Sequence, residues 1–278
     1  MAYRPLPLTP ALSPTLIRRV RRRVWRFYRA NMRDLPFRRT RDPYRIVVSE
    51  YMLQQTQIAR VIPKYQDWIR RWPTWRGLAG ASLADALTQW SGLGYNRRAK
   101  YLHACAKMIT TRCRGRLPND PAFLRTLPGM GPYTASAVLV FAFDAPLVAI
   151  DVNIRRAILH LCDLPVSTTP QLVQEIALAL LPRGSARNWS YALMDYGALA
   201  LSKPIKTKFA GKRQTPFVGS NRQLRGAILR ETARIQSQTI SSLATSCKRS
   251  KLETTRAVKD LAREGLLELT GMRVRLPA

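Results

Sequence analysis

The sequence predicts a nearly all-α body followed by a small winged-helix-like α+β module at the C-terminal end. Three observations carry that expectation. Apolar residues recur at helical spacing from residue 15 onward, in segments separated by Pro and Gly. No sustained alternation of apolar and polar residues occurs before residue 265. The last stretch reads as three helices and then two apolar strands around Thr270-Gly271, a two-residue hairpin signal.

Taken in order, Thr15 to Asn31 sets Ile17, Val20, Val24, Phe27 and Tyr28 among arginines, an amphipathic helix with one cationic face. Helices are expected over 44–56 and 57–72, with a break near Gln57, then over 82–90 with Ser82 as N-cap. Further helices are expected over 97–111, 120–127 and 133–143. After an apolar connection at 146–150 come 152–162, 170–181 and 186–201. Residues 204–221, rich in Lys, Pro, Gly and Thr, read as a basic linker. The module, 222–278, then holds helices over 224–234, 239–245 and 250–264, with strands at 266–269 and 272–276. Its third helix carries Lys251, Arg256 and Lys259, the candidate DNA-groove reader of a winged helix-turn-helix.

Charge narrows the function. Among 278 residues, 47 Lys and Arg face 16 Asp and Glu, a formal charge of +31. Such a chain attracts polyanions, and its cations are spread through folded segments rather than gathered in a tail, which favours a nucleic-acid binder over a membrane-surface protein. No apolar run has the length of a membrane span, and no signal stretch is evident, so a soluble cytoplasmic protein is expected. Cys105, Cys113, Cys162 and Cys247 stand far apart, and with only His103 and His160 beside them no His/Cys metal site is expected.

Leu127-Pro-Gly-Met-Gly-Pro-Tyr-Thr-Ala135 is the most specific segment. Gly129 and Gly131 allow a tight turn that aims backbone N–H groups at an anion, a way to grip a DNA phosphate without reading bases. About twenty residues on, Asp151 opens a helix in Ala149-Ile-Asp-Val-Asn153 and would serve as its N-cap. Upstream, Glu50 lies among Val47, Val48, Tyr51, Met52 and Leu53, an apolar setting expected to desolvate it and suit it to general-acid work. Two carboxylates from separate helices are what glycosidic cleavage needs, a proton donor and an anion against a cationic sugar.

Seven segments then carry a resemblance: Leu35 to Arg38, Asp42 to Tyr44, Ser49 to Gln57, Gly92 to Tyr95, Leu127 to Ala135, Asp151 to Asn153 and Leu193 to Ala198. In order and spacing they resemble MutY-type adenine glycosylases of the helix-hairpin-helix (HhH-GPD, endonuclease III-like) superfamily, over roughly residues 15 to 203. The resemblance implies a two-lobed all-α glycosylase fold over 1–203, with a six-helix barrel at about 35–145 and a second lobe from about 10–34 and 146–203. It implies a monomer acting on double-stranded DNA with a mismatch or lesion, nucleoid-associated in a prokaryotic cytoplasm, with the target base flipped into a pocket.

Residue by residue, the resemblance makes Glu50 the acid that protonates the adenine and activates water, Asp151 the carboxylate that stabilises the sugar cation, and Asn153 its orienting partner. Tyr133 stands where bifunctional relatives carry a Schiff-base Lys, which implies base removal without lyase chemistry. Gln55 and Tyr95 match wedge residues, Thr56 and Leu93 match positions near an opposing 8-oxoguanine, and Phe37, Arg38 and Asp195 match the base pocket and its rim. The family's four cluster-ligating cysteines are not matched, since the first position is Leu201 and Ser202-Lys-Pro-Ile-Lys-Thr-Lys208 follows. No iron–sulfur cofactor is therefore expected, its basic role passing to Lys203, Lys206, Lys208, Lys212 and Arg213. Val152 and Phe37 replace the family's Gly and Trp, and the winged-helix-like module stands where a Nudix-like domain is usual.

Adenine opposite 8-oxoguanine or guanine is the implied target. One alternative is a thymine or uracil mismatch glycosylase acting opposite guanine. Another is a non-catalytic winged-helix DNA-binding regulator, which retention of both Glu50 and Asp151 disfavours.

Overall fold

The computed structural model describes residues 12–201 and 216–278. In chain order the helices are α1 (Pro14–Asn31), α2 (Pro43–Leu53), α3 (Ile58–Arg71), α4 (Trp75–Ala79), α5 (Leu83–Gln89), α6 (Arg97–Cys113), α7 (Pro121–Thr126), α8 (Pro132–Phe143), α9 (Val152–Leu161), α10 (Pro170–Leu180), α11 (Ala186–Asp195), α12 (Asn221–Ile235), α13 (Ile240–Ser246) and α14 (Lys251–Arg263). The strands are β1 (Ser237–Thr239), β2 (Glu268–Thr270) and β3 (Arg273–Arg275). Local chemistry sets the starts. Pro occupies the first turn of α1, α2, α7, α8 and α10, where a missing N–H costs nothing. Ser13, Asp42, Thr74, Ser82, Asp120, Asp151 and Thr169 each cap a helix by accepting a backbone N–H two or three residues on. Among the described residues no helix is long and apolar enough to cross a membrane.

The chain divides into two compact units. One comprises the described parts of 1–41 and 131–213, hence α1 and α8 to α11. Val20 and Val24 of α1 join Ile154, Ile158, Val173, Ile176, Leu180, Trp189 and Leu193 in its core, each aliphatic side chain contributing about 1.5–3 kcal/mol by burial. Trp25 lies against Trp189 with ring centroids 5.5 Å apart. Arg18, Arg19, Arg22 and Arg26 keep the expected cationic face of α1 exposed. Arg21 instead turns inward and donates to the carbonyls of Leu180 (3.0 Å) and Leu181 (2.8 Å), satisfying the end of α10.

The second unit comprises the described parts of 42–130 and 214–278. Its inner helix is α6, buried along Ala99, Leu102, Cys105, Ala106 and Ile109 and packed by α2, α4 and α5. Trp68 meets Trp72 and Trp90 edge-on at centroid distances of 4.8 and 5.5 Å. In the C-terminal module α12, α13 and α14 pack with an antiparallel sheet of order β1-β3-β2. The module is not separate from this unit, because α12 packs on α5.

The structure departs from the sequence reading in places with physical causes. Helix α4 has five residues, too few to show a period, and β1 has three. The helix expected over 186–201 changes at Tyr196 into a π-helical turn, Tyr196–Ala200. The hairpin loop is Gly271-Met272, one residue later than expected, with Thr270 paired to Arg273 and Gly271 at φ 58°. By packing, α8 groups with α9–α11, and the C-terminal module groups with α2–α7. The cations proposed for the cluster position, Lys203 to Arg213, and the linker up to residue 215 lie outside the described residues.

Candidate active site

In the unit of α8–α11, Asp151 caps α9. One carboxylate oxygen accepts the Ile154 N–H at 2.7 Å, the other the Asn153 side-chain amide at 2.8 Å. Burial raises this carboxyl above its ordinary range; the bonds from Ile154 and Asn153 and the charge of Arg33 oppose the rise without cancelling it. A desolvated anion aimed by a helix N-terminus suits the stabilisation of positive charge that develops on a reactant. The start of α9 is in turn held by Gly197. A Cβ at Gly197 would lie 2.0 Å from the Asn153 carbonyl oxygen, so the π-helical turn can pack there only with glycine. Tyr133, in the first turn of α8, is 38% exposed, and Val152 is exposed beside Asp151.

Asp195 corrects an expectation. Rather than lining an open rim, it is fully buried at the end of α11. It accepts Arg38 Nη1 at 2.7 Å and Nη2 at 2.9 Å, Arg33 Nε at 2.6 Å and the Arg33 N–H at 3.1 Å. Burial alone would raise its carboxyl, but Arg38 and then Arg33 outweigh that and hold it below the usual range. Arg38 also lies over the Tyr191 ring at 4.5 Å, and its side chain is 8% exposed, so it too is a clamp rather than an open DNA contact. Phe37 is buried in the 3-10 turn that carries Arg38.

In the other unit, Glu50 lies half-buried on α2, between buried Ser49 and Tyr51. The end of this helix is organised by Arg98, which lies outside every motif named above. Its Nη1 donates to the carbonyls of Tyr51 (2.7 Å), Met52 (3.0 Å) and Gln54 (2.5 Å). Its Nη2 donates to Thr56 Oγ1 (3.0 Å), the Leu93 carbonyl (3.2 Å) and the Gly94 carbonyl (2.9 Å), and Nε to the Tyr95 carbonyl (3.3 Å). Burial lowers the Arg98 pKa to about 10, so it stays charged at neutral pH. One guanidinium thus joins the α2 terminus to the 54–56 and 93–95 loops. Each loop presents an exposed residue in left-handed backbone, Gln55 at φ 55° and Tyr95 at φ 48°. Thr56 is half-buried and donates to the Leu93 carbonyl at 3.3 Å. Leu93, expected to face DNA, has its side chain buried at 3% exposure, because its carbonyl is drawn inward to Arg98 and Thr56.

Of the two glycines expected to make the tight turn, the fold requires one. Gly129 adopts φ 75°, and a Cβ there would lie 2.7 Å from Tyr101 Cδ2, so conformation and packing both demand glycine. The Pro128 carbonyl accepts the Tyr51 hydroxyl and, at 3.3 Å, the Cys105 thiol. Gly131, the N-cap of α8, has ordinary backbone, and a Cβ there would meet no described atom within 4 Å, so nothing inside the fold calls for glycine. Lys251, Arg256 and Lys259 are exposed on α14.

No single-sequence signal singled out Arg98 or Arg33, and Gly197, though inside the 193–198 segment, was given no role. Arg98 follows Gly92-Leu-Gly-Tyr95 within three residues, and an arginine so close to a glycine-rich loop is the only hint it gives. The donor set does not fit the family's iron–sulfur cluster: Leu201 offers hydrocarbon, and the four cysteines lie on α6, past α9 and past α13. Burial pushes the Cys105 thiol up to about 12 and Cys162 to about 11.

Residues 48–183 match the family model described as "HhH-GPD superfamily base excision DNA repair protein". An adenine DNA glycosylase of Mycobacterium tuberculosis is 39% identical over 228 residues, 73% of this chain and 75% of that protein. One from Mycolicibacterium smegmatis is 39% identical over 71% of this chain and 74% of its own length. A solved structure of a thermostable thymine-DNA glycosylase aligns with TM-score 0.61 and 26% identity, covering 70% of this chain and 91% of that one.

Replacing Arg98 with Ala should destabilise the fold by about 3 kcal/mol or more, read from urea midpoints, since several buried carbonyls lose a charged donor. Arg98→Lys should recover only part of this, and a wild-type midpoint in Arg98→Ala would refute the tie. Asp195, with its folded pKa held low, contributes stability that is full above the unfolded value near 3.8 and is lost as pH falls through the folded value. Asp195→Asn should therefore cost about 3 kcal/mol or more at pH 7 and flatten the stability profile at acid pH; an unchanged acid limb would speak against the clamp.

Proposed function

Because the chain belongs to the HhH-GPD superfamily of base excision DNA repair proteins, among its adenine DNA glycosylases, we propose that it is a monofunctional N-glycosylase removing adenine mispaired with 8-oxoguanine or guanine. The observation that carries this reading is Asp151, a desolvated carboxylate locked at a helix N-terminus by Ile154 and Asn153. In the proposed reaction the base leaves the stack and enters a pocket. Glu50 gives a proton to an adenine ring nitrogen, so the C1′–N9 bond breaks with its electron pair going to a neutral leaving base. Asp151 stabilises the sugar cation left at C1′, and water, deprotonated by Glu50, adds there. Tyr133 has no amine with which to form an imine, so the strand stays intact.

The exposed left-handed residues Gln55 and Tyr95 are the proposed wedge, and the 93–94 backbone with Thr56 the element beside the opposing base. Val152 and buried Phe37 are departures that bear on which pair is preferred. A second reading, removal of thymine or uracil opposite guanine, is favoured by the 26% identity to the thymine-DNA glycosylase structure. Membership of an enzyme family displaces the non-catalytic regulator. We further propose that the protein works as a monomer on the chromosome in the cytoplasm, without an iron–sulfur cluster.

Duplexes carrying A·8-oxoG, A·G, T·G or U·G, incubated with the protein and then cleaved with alkali, should show excision chiefly of adenine. Borohydride should trap no covalent complex; a preference for T·G, or a trapped adduct, would overturn the corresponding assignment. Glu50→Gln should keep DNA affinity and lose about 10²–10⁴-fold in excision rate, and unchanged turnover would remove Glu50 from its role. Asp151, with its pKa raised in the fold, costs stability once ionised; Asp151→Asn should thus be at least as stable as wild type at pH 7 while losing about 10²-fold or more in rate. A lower melting temperature in that variant would contradict the desolvated carboxylate. Purified protein should show no absorption band at about 400 nm, the region in which protein-bound iron–sulfur clusters absorb.

A further inference from the structure

The C-terminal module carries an observation that the excision chemistry does not use. Between residues 216 and 278 there are twelve Lys and Arg and five Asp and Glu. Every one of those five acids lies within 3.9 Å of an arginine: Glu231 with Arg234, Glu253 with Arg249, Asp260 with Arg263, Glu268 with Arg275, and Glu264 with Arg225 and Arg97. Lys251, Arg256 and Lys259 form no ion pair among the described residues. At about 100° per residue the three fall within an arc of roughly 140° on α14, with exposed Leu252 inside it. The module's acids are spent internally, and one helix face is left cationic.

The same module is jointed to the helix that supports the hairpin. Glu264, at the end of α14, accepts Arg225 Nη2 at 2.7 Å, and its backbone carbonyl accepts Lys100 Nζ at 2.7 Å. Arg97 lies 3.9 Å from the Glu264 carboxylate and donates to the Tyr101 hydroxyl at 2.7 Å. Tyr101 is the side chain against which Gly129 packs. On the neighbouring loop, Arg222 of α12 meets the Tyr95 hydroxyl at 3.4 Å. At about 1.5 Å rise per residue, Lys259, Arg256 and Lys251 stand roughly 8, 12 and 20 Å along α14 from this joint. Twenty ångströms is about six base pairs of duplex.

We propose that the module is a second grip on the phosphate backbone of the same duplex, made by Lys251, Arg256 and Lys259, and held in fixed register to the hairpin through Glu264. This deepens the DNA-repair reading and rests on it for the identity of the duplex. A polyanion is the partner that the uncompensated cations fit, and continuity with the Gly129 hairpin makes that polyanion the bound DNA.

The test uses the full chain and undamaged duplexes of about 10 and about 30 base pairs, with binding followed by anisotropy between about 50 and 200 mM salt. Replacing Lys251, Arg256 and Lys259 together with Ala should reduce the slope of log affinity against log salt by roughly 2–3 on the long duplex. The short duplex should show a much smaller change. An unchanged slope on the long duplex, or an equal loss on both, would overturn the proposal. Glu264→Ala, with the three cations intact, should shrink the advantage of the long duplex over the short; an unchanged advantage would overturn the fixed joint. Undamaged DNA keeps the result independent of excision, so failure to remove any base and failure of this second grip are told apart.

Discussion

A single buried guanidinium holds together the surface formed by the end of α2 and the two loops that follow α2 and precede α6. Arg98 serves acceptors from the end of α2, from the 54–56 loop and from the 93–95 loop. Loops with left-handed residues at their tips are conformationally costly and would relax if their carbonyls faced water. A planar guanidinium with five N–H donors in a fixed fork can reach acceptors on three segments at once, more than the three donors of a compact ammonium could serve. Gln55 and Tyr95 project because something beneath them does not move.

The other unit meets a different constraint with the same chemistry. A chain with so many cations has few acids, and the ones it withdraws from water are fully used. Asp195 neutralises Arg38 and is bonded by Arg33, tying the segment before α2 to the end of α11. Asp151 forms no ion pair among the described residues; it is held by a backbone N–H and an amide. The two desolvated acids are therefore shifted in opposite directions, one toward an inert anchor and one toward a group whose charge is held at some cost and is available to a reaction.

Much of this was legible in the residues. Helical spacing, the Pro and Gly between segments, and caps such as Ser82 and Asp151 gave the order of the long helices, because those signals are local. The hairpin was readable because the left-handed backbone at Gly129 is a local demand for glycine, to which the packing of Tyr101 adds a second. Three kinds of feature were not legible. Short elements such as α4 and β1 have too few residues to display a period. Asp195 and Leu93 carried the right motif positions, yet burial depends on partners 157 residues away in the first case and on an inward-drawn carbonyl in the second. Gly197 looked like an ordinary helix residue, and only the approach of the Asn153 carbonyl explains it. Side chains that matter through what lies behind them leave no trace in spacing.

The thiol of Cys105 gives the hairpin an unexpected resilience. Its proton bonds the Pro128 carbonyl, and burial pushes the thiol well above the ordinary thiol range, so it stays protonated at neutral pH. Oxidants attack thiolates, so the sulfur beneath the Gly129 turn is held in its unreactive form. A turn packed against a reactive sulfur could be loosened by the oxidation of a single side chain, and this one is spared that.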